Sequence, residues 1–158
     1  MRRRARPQAG FLLAGLIALA WLGAAACVNF RPAVQPPGLE VESLVVCRNA
    51  AFSGGLHVAE GAARTFGLDI PSLFALASLR DIDRGIALRF KWYAPDGVLA
   101  RDSGPMPVDP GEKYLDKVTA FDRLDFAPGR IEPREGAWTV VLFLDETPAD
   151  QTSFNIKK

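Results

Sequence analysis

Beyond residue 39 the hydrophobic positions recur mostly with period two, and no long stretch keeps a helical period. The clearest segment is Ala87 to Tyr93, ALRFKWY, in which Leu88, Phe90 and Trp92 alternate with Arg89, Lys91 and Tyr93. Such alternation predicts a strand with one buried face. Ala94-Pro95-Asp96-Gly97 then supplies turn residues, and Val98 to Arg101 returns as the second arm of a hairpin. A second hairpin closes the chain. Ala137 to Asp145 places Trp138, Val140, Leu142 and Leu144 on one face, Glu146-Thr147-Pro148 makes the turn, and Gln151 to Ile156 comes back with Phe154 and Ile156 inward. Gly136 precedes this hairpin and lets the incoming loop bend tightly.

Three further strands are expected: Val41 to Cys47, Ser72 to Leu79, and Lys113 to Phe121 with Tyr114 and Val118 inside. SLFALASL suits a short helix by composition. Its eight residues lie between Pro71 and Asp81-Ile82-Asp83-Arg84-Gly85, which favours a buried strand. Many short strands separated by Gly and Pro turns predict an all-β fold, an antiparallel sandwich in one domain from residue 39 to 158.

The first 38 residues follow a different pattern. Arg2, Arg3, Arg4 and Arg6 precede Phe11 to Cys27, which carries no charge and ends in Gly23-Ala24-Ala25-Ala26-Cys27. A basic start, an apolar run and a small-residue site predict a signal segment over residues 1–26. Ala24-Ala25-Ala26 before Cys27 resembles a bacterial lipoprotein lipobox, except that Ala24 stands where leucine is usual. That resemblance implies diacylglycerol on the Cys27 thiol and a membrane anchor through the lipid. The same alanines fit ordinary signal-peptidase cleavage. The run from Gly10 to Val28 is also close to the ~20 residues of a membrane-spanning helix, so a retained anchor stays open. Residues 27–38 then form a proline-rich stalk with Pro32, Pro36 and Pro37, which favours an extended spacer.

Removing the leader changes the electrostatic picture. The whole chain carries +1, but without four arginines it has 15 Lys and Arg against 18 Asp and Glu, or −3. A mildly acidic chain without a basic stripe argues against nucleic acid as a partner. Cys47 lies in the apolar run Val41 to Cys47, so it is expected to be a buried thiol; a disulfide to Cys27 is the alternative.

The succession Phe66…Asp69-Ile70-Pro71, Leu79-Arg80-Asp81-Ile82-Asp83-Arg84-Gly85, Leu88 to Tyr93, Gly136 to Phe143 and Thr152 to Ile156 resembles the immunoglobulin-like accessory domains of bacterial extracytoplasmic proteins. The resemblance covers about Thr65 to Lys158. It implies an immunoglobulin-like β-sandwich, a role in adhesion, spacing or assembly, and no catalytic residue.

Motifs for chemistry are sparse. Ser53, His57 and Asp69 write out a hydrolase triad, but no strand-turn-helix elbow surrounds the serine. One His and two separated Cys predict no zinc or haem site and no other cofactor. Asp81-Ile82-Asp83-Arg84-Gly85 begins like a calcium loop, yet its twelfth position is Trp92, where an acid is required. Asp122 and Asp125 are spaced as a candidate acid–base pair, but exposed acids in a loop are normally just solvated, and Gly54-Gly55 lacks the lysine of a phosphate loop. The better lead is aromatic. Tyr93, Val141 and Phe143 fall opposite the core faces of their strands and are expected to form an exposed partner-binding patch flanked by Arg89 and Lys91, unless the Ala50 to Leu68 insertion covers it. The chain is therefore expected to be a non-catalytic lipoprotein of the cell envelope, lipid-anchored to the inner or outer membrane, that binds or scaffolds an envelope protein. A carrier for a small apolar or glycan ligand is the alternative, and a hydrolase using Ser53 and His57 a remote one.

Overall fold

The alternation of Ala87 to Tyr93 is carried by an interior strand of the larger of the two sheets that form the sandwich. A computed structural model describes residues 38–111 and 113–158. The leader, Cys27 and the stalk through Pro37 lie outside the described residues. In chain order the strands are β1 (Glu40–Cys47), β2 (Asn49–Ser53), β3 (Leu56–Glu60), β4 (Thr65–Gly67), β5 (Ser72–Ile82) and β6 (Ile86–Tyr93). They continue with β7 (Leu99–Asp102), β8 (Met106–Val108), β9 (Leu115–Asp125), β10 (Gly136–Leu144) and β11 (Thr147–Lys157). There is no helix among the described residues.

One sheet has the order β1-β5-β9 and is antiparallel. The other runs β4-β11-β10-β6-β7, with β8 also pairing β6. Consecutive strands cross between these two layers four times, from β4 to β5, β5 to β6, β8 to β9 and β9 to β10. β2 and β3 make a separate two-stranded sheet. The short β4 lies parallel to β11; every other pairing is antiparallel. This is an antiparallel immunoglobulin-like β-sandwich.

The inward faces are the ones the alternation selects. Leu73, Ala75, Ala77 and Leu79 of β5 meet Leu88, Phe90 and Trp92 of β6, Trp138, Val140 and Leu142 of β10, and Phe154 and Ile156 of β11 in one buried cluster. Ala75 and Ala77 leave volume for the large rings, and the Trp138 and Phe154 rings stack with centroids 6.3 Å apart. Burial of each large side chain contributes about 1.5–3 kcal/mol before entropy is counted.

SLFALASL is a strand and extends to Ile82. It does not alternate cleanly because both of its faces are covered. Leu76, on the face away from the sandwich core, is buried as well. The β2–β3 hairpin lies over that face, so the Ala50 to Leu68 insertion is a structured element. Beneath it Cys47 is fully buried, its thiol donating to the Asn49 carbonyl at 3.1 Å, and burial pushes its pKa up.

Two expectations about local structure fail for physical reasons. Tyr114 is 56% exposed and precedes β9, with its hydroxyl donating to Asp81; Leu115, which aligns with Ile82, is the residue that packs on the core. The closing turn is made by Asp145 and Glu146, both with positive φ (48° and 65°), while Thr147 and Pro148 already belong to β11. Asp145 steadies that two-residue turn: Oδ1 accepts the Ala87 amide at 2.9 Å and Oδ2 accepts Arg84 at 2.7 Å.

Candidate binding surface

The register of β6 and β10 brings the sequence-predicted patch together. Val141 stands opposite Lys91, Phe143 opposite Arg89 and Thr139 opposite Tyr93, all on the sheet face turned away from the core. It is not an exposed apolar patch, however. Val141 is 0% exposed and Phe143 6%. Lys91 lays its stem over the face, with Nζ 4.5 Å from the centre of the Phe143 ring. Arg89 makes a two-point contact with Asp102, both bonds at 2.7 Å, and reaches Glu146 at 2.9 Å. The long basic side chains of β6 therefore close the face; of the Ala50 to Leu68 insertion, the β2–β3 hairpin lies on the other sheet, and β4 extends this sheet at its β11 edge.

The hydrolase arrangement is not assembled. In the β2–β3 pairing Phe52 stands opposite His57 and Ser53 opposite Leu56. Successive residues of a strand point to opposite faces, so Ser53 and His57 project from opposite sides of the hairpin. Asp69 is in the turn between β4 and β5. Gly54 and Gly55, at φ 60° and 82°, form the hairpin turn and hold no phosphate-loop geometry. Asp81 occupies a β5 position with φ 57°, and the Trp92 indole at the twelfth position from it is in the core. Among the described residues no group of three or more potential metal ligands occurs.

Asp122 is not solvated. It is 6% exposed on β9 and accepts hydrogen bonds from the Trp92 indole at 2.8 Å and from Arg101 at 2.8 and 2.6 Å. Since β9 belongs to one sheet and β6 and β7 to the other, this carboxylate ties the sheet edges together on one side. Asp122 raises the Arg101 pKa, mainly through those hydrogen bonds. Asp125 is exposed and pairs with Arg123 at 2.6 Å.

The surface that sequence reading overlooked is on the same side. β9 is eleven residues long and pairs with β5; no strand among the described residues pairs with its other edge. The β2–β3 hairpin crosses the outer face of this sheet and reaches β9, where the His57 amide donates to Thr119 Oγ1 at 2.7 Å. The His57 ring meets Phe121 edge-on at 4.6 Å and Phe52 at 5.2 Å, and its Nδ1 is buried without a hydrogen-bond partner. Phe52, propped by that contact, remains 70% exposed, and Val58 is exposed on the hairpin's other face. The Gly54-Gly55 pair between two short apolar runs is the sequence signal for this hairpin.

No protein-family model and no curated protein matches the sequence. Among solved structures, the chain is similar to the alkylpurine DNA glycosylase AlkC of Pseudomonas fluorescens, with a TM-score of 0.49 and 7% identity over 77% of this chain and 31% of that one. It thus spans about a third of the glycosylase's length. It is also similar to an immunoglobulin-like protein of Pseudomonas aeruginosa, with a TM-score of 0.44 and 13% identity over 75% of this chain and 96% of that one. A third likeness is to the C-terminal domain of wzt, with a TM-score of 0.44 and 11% identity over 81% and 83% of the two chains.

Proposed function

We propose that this chain is a non-catalytic binding module of the bacterial envelope, tethered to a membrane through lipid on Cys27, that takes up an extended segment of another envelope protein along β9. The observation that carries this reading is the unpaired edge of β9 beside the exposed Phe52 ring. An open strand edge offers a row of backbone donors and acceptors to an incoming strand, and an adjacent aromatic anchor adds side-chain selectivity. Attachment at Cys27 raises the local concentration of the domain near membrane-bound partners, which lets a weak edge contact act.

Two measurements test the parts separately. A photo-crosslinking side chain at position 52 is expected to give a discrete protein adduct in native envelopes, and one at Tyr93 much less. No adduct from position 52, or an equal yield from position 93, counts against the β9 reading. Intact mass of protein purified from its own membranes is expected to show a chain starting at Cys27 with added diacylglycerol. An unmodified Cys27 or a retained leader sinks the lipid tether.

A further inference from the structure

Asp69 and Glu132 are among the residues that line a groove at the end of the sandwich opposite Gly38. The placement follows from register: β1 starts beside Arg80 and ends beside Phe74, so the β4–β5 turn before Ser72 lies at the far end from Gly38. There the turn and the Phe126–Glu135 connection between β9 and β10 enclose an open groove of about 410 Å³. Its apolar walls include Leu68, Ile70, Pro71, Phe126 and Pro133. The walls are held by backbone bonds rather than by side-chain chance. The Phe126 amide donates to the Pro71 carbonyl at 2.9 Å, Leu68 to Lys157 at 3.1 Å, and Ala127 to Ile131 at 2.9 Å. The Phe126 ring is fixed edge-on against the buried Trp138 at 5.6 Å.

The charges in this groove are of one sign. Asp69 and Glu132 line it, no Lys or Arg does, and neither acid is within ion-pair distance of a base among the described residues. Arg130 and Arg134 belong to the neighbouring groove on the other side of the connection, which Glu132 also borders, and Arg134 is held by Asp96 at 2.7 Å. We infer that this groove is a docking site for a lysine- or arginine-bearing segment of a protein partner. The aliphatic stem of a basic side chain packs between the proline and phenylalanine walls, and its charged head is placed between the Asp69 and Glu132 carboxylates. The site is distinct from β9's open edge and stands independently of it.

The test is a titration of the isotope-labelled full-length chain in detergent micelles, followed by amide chemical shifts. The probes are acetyl-Leu-Lys-amide, its norleucine and glutamate analogues, and butylamine. The lysine peptide is expected to give saturable shifts at Leu68 to Ile70, Phe126, Ala127 and Glu132, weaker in high salt. The Asp69→Asn/Glu132→Gln double variant is expected to bind it about five- to tenfold more weakly, as two exposed charge contacts allow. Both residues are exposed, and an unchanged spectrum away from the groove verifies the fold of the variant. No saturable shift with the lysine peptide, unchanged affinity in the variant, or equal binding of the norleucine or glutamate peptide overturns the inference. Butylamine binding as tightly as the peptide overturns it too, since the groove would then recognise an amine and no protein segment.

Discussion

Asp122 is the buried charged residue among those described, and three hydrogen bonds converge on it. A carboxylate taken out of water is tolerated only when its lone pairs are matched, and here Trp92 and Arg101 match them. Asp122→Ala removes the acceptor and strands the buried Trp92 indole, while the partly exposed Arg101 is left to water. It is expected to cost about 2 kcal/mol, read as a lower urea midpoint at unchanged slope, with Asp122→Asn in between because an amide oxygen can still serve the indole. An alanine variant as stable as the parent would show that the bridge is idle. Gly136 is constrained for a different reason. Its φ is 128°, and an added Cβ would stand 2.9 Å from the Pro95 Cβ. Gly136→Ala is therefore expected to lose more than about 1 kcal/mol in the same assay, through backbone conformation and contact together.

Ion pairs stitch neighbouring elements at the surface and give the fold its acid response. Arg89 joins β6 to Asp102 on β7 and to Glu146 in the last turn, Arg84 holds Asp145, and Glu42 on β1 reaches Arg80 on β5 and Lys117 on β9. The pKa of Asp102 is lowered chiefly by the Arg89 hydrogen bond, that of Asp145 by the Ala87 amide and then Arg84, and that of Glu42 by Lys117. A carboxylate with a lowered folded-state pKa contributes stability above its unfolded value and loses it as pH falls through the folded one. Thermal midpoints are thus expected to hold near neutrality and decline below about pH 4. Asp102→Asn should flatten that decline, whereas Asp150, raised by burial, acts in the opposite sense. A midpoint independent of pH down to strong acid would refute this account. Legibility also differs by element. β6 and β10 were readable because one face meets the core and period two survives. β5 was ambiguous because its second face lies under the hairpin, and Tyr114 misled because the core position is one residue later. The burial of Val141 and Phe143 depends on which strands adjoin β10 and on how Lys91 and Arg89 lie across it, information held in strand order and absent from one strand's alternation. For the candidate sites, Phe52 was visible as a residue, but β9's open edge and the Asp69–Glu132 groove arise only from tertiary assembly.

At the scale of the molecule, neither sheet has a core of its own. Trp92 and Trp138 sit in the interior that both sheets share, with Phe154 edge-on to one and stacked on the other. Separating the sheets exposes all of these rings at once, so loss of tryptophan burial and loss of strand structure should be a single event. Denaturation followed by tryptophan fluorescence and by far-ultraviolet circular dichroism is expected to give coincident curves. The β2–β3 hairpin is the exception by construction. It rests on the outer face of the smaller sheet through Thr119, Phe121 and the base bonds from Arg48 and Asn49 to Glu60, outside the shared interior. Its amides should exchange through local opening with little denaturant dependence, while β5 and β10 amides exchange only by global unfolding. Equal protection of hairpin and core would mean that the hairpin is an integral part of the sandwich. Separate opening would leave β9, and the Phe52 ring beside it, able to adjust to an incoming strand without loss of the fold.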